Sequence, residues 1–211
     1  MYLQVLLRET KKIQVAIPAT DDILLIVSLF TQHFFHTYKA SKGASRLPVL
    51  ALYSIYSVMI SELNRYSTMS LKPLESHSAA DSQTGAIGDI EVVNKKKEIF
   101  EALEVKHGIE IDEKILQDVK LKVMDKPVDR YYILTTHKNC EPSDKIKGEL
   151  EQIQARFKCQ VIVNGVIPSI KYYLRLLSNP SKVFPIYTKL LQEDKSIAHE
   201  HREAWNKIVT S

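Results

Sequence analysis

Cysteine is scarce: Cys140 and Cys159 are the only two in 211 residues. Two thiols exclude a disulfide scaffold and fit a reducing cytosol. Long hydrophobic runs are missing too. The richest, Ile23 to Phe30, is broken by Ser28 and is too short to span a bilayer, so no membrane partner is expected. The N-terminus lacks the basic-then-apolar order of a secretory signal. There is no Gly-rich phosphate loop and no dinucleotide fingerprint, so no nucleotide cofactor is expected. No internal repeat and no low-complexity tract is visible. Nor does one charge dominate: 29 Lys+Arg against 25 Asp+Glu leave +4, which excludes a histone-like polycation.

What is present suits one folded domain over residues 1–211. Hydrophobic residues make up 45% and charged residues 26%, which rules out a disordered chain. The charge is unevenly spread: +3 over residues 1–75, −2 over 76–139 and +3 over 140–211. A mildly acidic centre between basic flanks suits a cation in the middle and a polyanion along the sides, though chance also produces it.

The pattern divides the chain into an N-terminal arm and helix (1–45), a core (46–164) and C-terminal helices (165–211). Residues 1–18 read as an irregular arm with strand-like pieces at Val5 to Leu7 and Ile13 to Ile17. Thr20, Asp21 and Asp22 suit a helix N-terminus, and that helix runs to about Tyr38. A loop over 40–45 precedes a second, nearly all-apolar helix from Arg46 to about Tyr66, with Pro48 tolerated in its first turn. Residues 68–75 read as a short edge strand, because Pro73 does not suit a central one. Residues 76–86 are small and polar, a loop. Residues 87–93 and 98–106 form an antiparallel hairpin turning at 94–97. Asp112 caps a helix to about Met124. A strand over 130–136, a helix opened by Pro142, Ser143 and Asp144, and a strand over 159–163 follow. From Ile167 the pattern is helical. The expected fold class is α/β with a mixed central sheet and N- and C-terminal helices.

The hairpin carries the chemistry. Glu104 and Lys106 lie two apart on one strand and point the same way. Asp89, on the partner strand, faces the same side if the register allows. Two carboxylates on rigid strands hold a hard divalent cation through oxygen, and a lysine beside them stabilises charge on a phosphoryl group or orients the attacking water.

Asp89, fourteen residues, then Glu104-Val105-Lys106 resembles the active-site motif of the PD-(D/E)XK nucleases, which include most type II restriction endonucleases. Gly88 stands where the pattern has proline, which many members lack. The order of elements over residues 46–164 is similar to that superfamily's α-β-β-β-α-β core. The resemblance implies a Mg²⁺-dependent endonuclease acting on double-stranded DNA, in a bacterial or archaeal cytoplasm, with catalytic Asp89, Glu104 and Lys106 and with metal held by Asp89 and Glu104. It also implies a homodimer, because cutting both strands of a symmetric site takes two active sites. Rival readings are a structure-selective resolvase or repair nuclease, and a non-catalytic DNA-binding module of the same fold. The residues that bind DNA are not evident, and the C-terminal helices are where a dimer surface or base-reading elements are expected.

Several neighbours have two readings. Glu62 lies in line with Ile55 and Met59 on the second helix. Many members take a further metal ligand from that helix, so Glu62 is a tentative metal ligand; the alternative is an ion pair with Arg65 or another base. Glu75 is a second, weaker candidate. Glu91 either joins the metal or is a solvated strand carboxylate. Glu101, on the opposite face from Glu104, is expected to be an edge or paired carboxylate. His107 and Cys159 are expected to be structural, Lys95 to Lys97 a solvated turn, and His199-Glu200-His201 a solvated helix end. The basic loop from Lys39 to Arg46 is either a DNA-backbone contact or solvated.

Overall fold

The computed structural model describes residues 13–39, 43–75 and 85–211. Among these, five strands form one mixed sheet in the order β1-β2-β3-β4-β5. They are β1 (Ser70–Leu71), β2 (Ile90–Val93), β3 (Ile99–Lys106), β4 (Val128–Thr135) and β5 (Gln160–Gly165). The first three pair antiparallel, and β3, β4 and β5 pair parallel. The helices are α1 (Ile23–Phe34), α2 (Arg46–Glu62), α3 (Glu113–Asp125), α4 (Asp144–Phe157), α5 (Val166–Leu174), α6 (Val183–Glu193) and α7 (His199–Thr210), with short 3₁₀ turns at Asn64–Tyr66 and Pro180–Lys182. The chain is therefore α/β, with the expected order of helix, three strands, helix, strand, helix and strand. No helix among the described residues is long and apolar enough to cross a membrane.

Local chemistry sets the helix starts. The Asp22 carboxylate accepts from the amides of Leu24 and Leu25, Asp112 from Ile115, and the Ser143 hydroxyl from Ile146. Helices α3 and α4 are amphipathic and cover one face of the sheet, against Ala102, Tyr131 and Ile133. Helix α2 is buried along most of its length. It packs with α1 and α5–α7 on the other face, against Ile90, Val92, Leu103, Val105 and Leu134. Strands covered on both faces should be apolar throughout. The central strand β3 instead carries two buried carboxylates, Glu101 (0% exposed) and Glu104 (8%).

The structure departs from the sequence reading at the ends. Residues 13–17 form no strand. They run irregularly along α7, where Asn206 bonds the backbone of Gln14 and Ala16 and the Trp205 indole donates to the Ala16 carbonyl. Helix α1 stops at Phe34, and the Tyr38 hydroxyl donates to the carbonyl of His33. The C-terminal helices pack into the single domain, as expected: Phe184, Tyr187 and Trp205 are fully buried against Phe30. The expected strand piece Val5 to Leu7 and the loops over 40–42 and 76–84 lie outside the described residues.

Candidate active site

The β2–β3 register brings the motif together. Ile90 pairs with Leu103, so Asp89, one residue before β2, arrives beside Glu104. Its Oδ2 accepts from the Val105 amide at 2.8 Å. Gly88 permits this approach: a Cβ there would stand 2.7 Å from the Leu103 carbonyl oxygen, closer than side-chain carbons come to backbone. A side chain at position 88 would therefore meet backbone, and glycine avoids that contact.

Glu104 and Lys106 share a face of β3, as alternation requires, and the Lys106 ammonium donates to Glu104 Oε1 at 2.6 Å. The other carboxylate oxygen, Oε2, accepts from Lys122 of α3 at 3.0 Å. The Tyr131 hydroxyl of β4 stands 3.2 Å from Oε2 and also bonds the Ile87 carbonyl. Glu104, Lys106, Asp118 and Lys122 line a cleft of about 300 Å³ between β3 and α3.

Burial pushes the Asp89 carboxyl up to about 6, and the nearby Glu104 charge adds to the rise. The Val105 amide, Arg46 and Lys106 oppose it. The Glu104 charge thus disfavours the ionised form of Asp89, and a cation bound beside the two carboxylates would relieve that. Among the described residues no group of three or more His, Cys, Asp and Glu is placed to hold a metal ion.

Glu62 is not brought to the site. It sits at the far end of α2, where Lys182 donates to one oxygen at 2.8 Å and the Ser178 amide to the other at 2.7 Å. These bonds hold its carboxyl below the usual range. The ion-pair reading holds, with Lys182 as the partner; Arg65 goes to Glu101 instead. Helix α2 approaches Asp89 by its opposite end, through the field of Arg46. Arg46 is buried, not solvated, and bonds Asp194 at 3.0 Å and the Glu75 carbonyl at 2.7 Å. Glu75 thus lies on the Arg46 side, with its side chain exposed.

Glu91 fits neither reading. It is buried, accepts from the Ile87 amide and pairs with Lys72, which pins the turn that presents Asp89. Glu101 is a paired carboxylate, held by Arg65, Arg130 and Tyr66. His107 bonds Thr136, and burial pushes the Cys159 thiol up to about 12, so both are structural. Lys95 to Lys97 are exposed in the turn. His201 is not solvated: it is fully buried, its Nδ1 accepts from the Ala198 amide, and its Nε2 has no hydrogen-bond partner among the described residues.

Lys122, Tyr131 and Arg46 were not foreseen as neighbours of the motif. Lys122 falls on the Ile115, Val119 stripe at helical spacing, and this was the one signal available. The other two depend on packing between distant segments. No family model matches the chain, and no curated protein matches it.

Proposed function

We propose that the chain is a metal-dependent endonuclease that hydrolyses phosphodiester bonds of double-stranded DNA, of the sequence-specific restriction type. One observation carries the reading: Asp89 lies beside Glu104 and Lys106, the two side chains that open on the β3–α3 cleft, and the Glu104 charge disfavours ionisation of Asp89. An all-oxygen donor pair suits Mg²⁺ better than a softer metal. When bound there, Mg²⁺ supplies the charge that polarises the phosphoryl group. The protein's own groups do the rest. The Val105 amide fixes the Asp89 carboxylate. The Lys106 ammonium offsets the charge that develops on the phosphoryl oxygens, or orients the water. Lys122 and Tyr131 fix Glu104 from the far side. Cutting both strands of a symmetric site would take two protomers.

A second reading rests on the saturation of Glu104, whose two oxygens already have ammonium partners. In a non-catalytic DNA-binding module of this fold, that network would only fasten α3 to β3. Incubation with plasmid DNA and Mg²⁺, followed by sequencing of the ends, separates these readings. Defined ends at one sequence, lost with EDTA, support the restriction reading. Preference for branched DNA points to a resolvase. Binding without cleavage favours the module.

A further inference from the structure

We propose that the opposite face of the sheet holds a nucleotide site, with the base in a tyrosine-lined hollow and the phosphate on an arginine and lysine rim. The hollow, about 400 Å³, lies between β4, β5, α5 and the end of α2. Five tyrosines line it: Tyr56, Tyr66, Tyr132, Tyr172 and Tyr173. A volume of that order, lined by tyrosines and aliphatic side chains with Arg65, Asn164 and Ser169 among them, fits a small planar ligand. Tyrosine faces stack on any base. Tyr172 is 51% exposed at the rim, with the Arg175 guanidinium 4.9 Å from its ring centroid as a further cation beside the hollow.

Arg65 supplies the anion-binding half of the site. It lines this hollow and also an adjoining cleft with Arg130 and Lys158. The buried Glu101 holds Arg65 and Arg130 together, and both guanidiniums lie over the Phe100 ring, at 5.4 and 5.8 Å from its centroid. A β-bulge sets this up: Val92 faces Glu101 and Val93 faces Ile99, so Phe100 is the extra residue. Each guanidinium has five N–H donors, more than one carboxylate can take. Lys158 stands exposed nearby in the left-handed region, at φ 59°. Three cations against Glu101 and the exposed Asp129 leave an anion-attracting rim beside an aromatic hollow. A nucleotide combines an aromatic plane with an anion in that way.

This site is built from the face that Leu103 and Tyr132 share, away from Glu104 and Lys106, and does not depend on the nuclease reading. It therefore predicts binding without metal. Fluorescence anisotropy with a labelled single-stranded oligodeoxyadenylate in EDTA is the test, with deoxyadenosine monophosphate as competitor and duplex DNA of the same sequence alongside. Saturable single-strand binding is expected, weakened about tenfold or more by Tyr172→Ala and severalfold by Lys158→Asn, which keeps a side chain suited to the left-handed backbone. Neither position is buried, and melting curves check that both variants fold. Competition by the mononucleotide identifies a free nucleotide as sufficient ligand, and its failure identifies a strand. No single-strand binding, equal binding of duplex, or affinity unchanged in both variants would overturn the proposal.

Discussion

Asp89 works through a conflict between burial and charge. Its folded carboxyl titrates near 6, above the ordinary carboxylate range, so the ionised form costs stability. The stabilising effect of its proton is complete below the unfolded value of 3.8 and is lost as pH rises through about 6. Asp89→Asn should therefore raise the metal-free melting temperature by a few degrees at pH 7. The gain should shrink as pH falls from 6 towards 4, as thermal scans at several pH values will show. The same variant should lose hydrolysis. Gly88 has the opposite character, since its value lies in what it lacks. Gly88→Ala should cost about 1–3 kcal/mol in denaturant titration, because the Cβ meets backbone that cannot swing aside. It should reduce hydrolysis further by moving Asp89. For Glu62→Gln, hydrolysis should stay near the wild-type rate while the melting temperature falls slightly, because its partners are Lys182 and Ser178. A large loss of rate without loss of stability would return Glu62 to the site.

At the scale of elements, α1 is locked to α6 and α7 through His33. Its Nε2 meets the His201 carbonyl at 2.8 Å, which can only accept, so Nε2 carries the proton. Nδ1 then accepts from the Tyr187 hydroxyl at 2.8 Å. Burial lowers the His33 pKa to about 3, so the neutral ring belongs to the fold. Its contribution is present above the unfolded value of 6.5 and drains away as pH falls towards 3. Chemical denaturation should show stability declining over that window, and His33→Gln should flatten the decline while lowering stability at pH 7. This lock was invisible in the sequence, where His33 is one polar residue in an apolar helix. The hairpin, α3 and α4 were legible because their signals are local: alternation, Asp112 and Ser143 caps, and an apolar stripe at helical spacing. The Asp89, Glu104 and Lys106 grouping was legible for the same reason. Residues 13–17 were misread as strand because Trp205 and Asn206, far along the chain, decide their path. Glu62 was misjudged because helical spacing gives a face and not a direction of approach. His201 was misjudged because only the packing of Tyr38 and Gly43 against it reveals its burial.

At the scale of the whole fold, the two faces of one sheet carry different side-chain groupings. On the α3–α4 face, Glu104 and Lys106 open on a cleft. On the other, Glu101 gathers two arginines beside a tyrosine hollow. Both carboxylates sit on β3, and a bulge between Ile99 and Glu101 separates the regular strand that aligns the first from the distorted end that presents Phe100. The central claim concerns the first face: that its convergent triad is hydrolytic. The most direct measurement compares the wild-type chain with Lys106→Ala, at equal concentration, for cleavage of supercoiled plasmid in Mg²⁺. Linear or nicked product is expected from the wild type, and a rate lower by about a hundredfold or more in the variant, with both proteins folded. No cleavage by the wild-type chain across a range of Mg²⁺ concentrations, or an equal rate from Lys106→Ala, would contradict it.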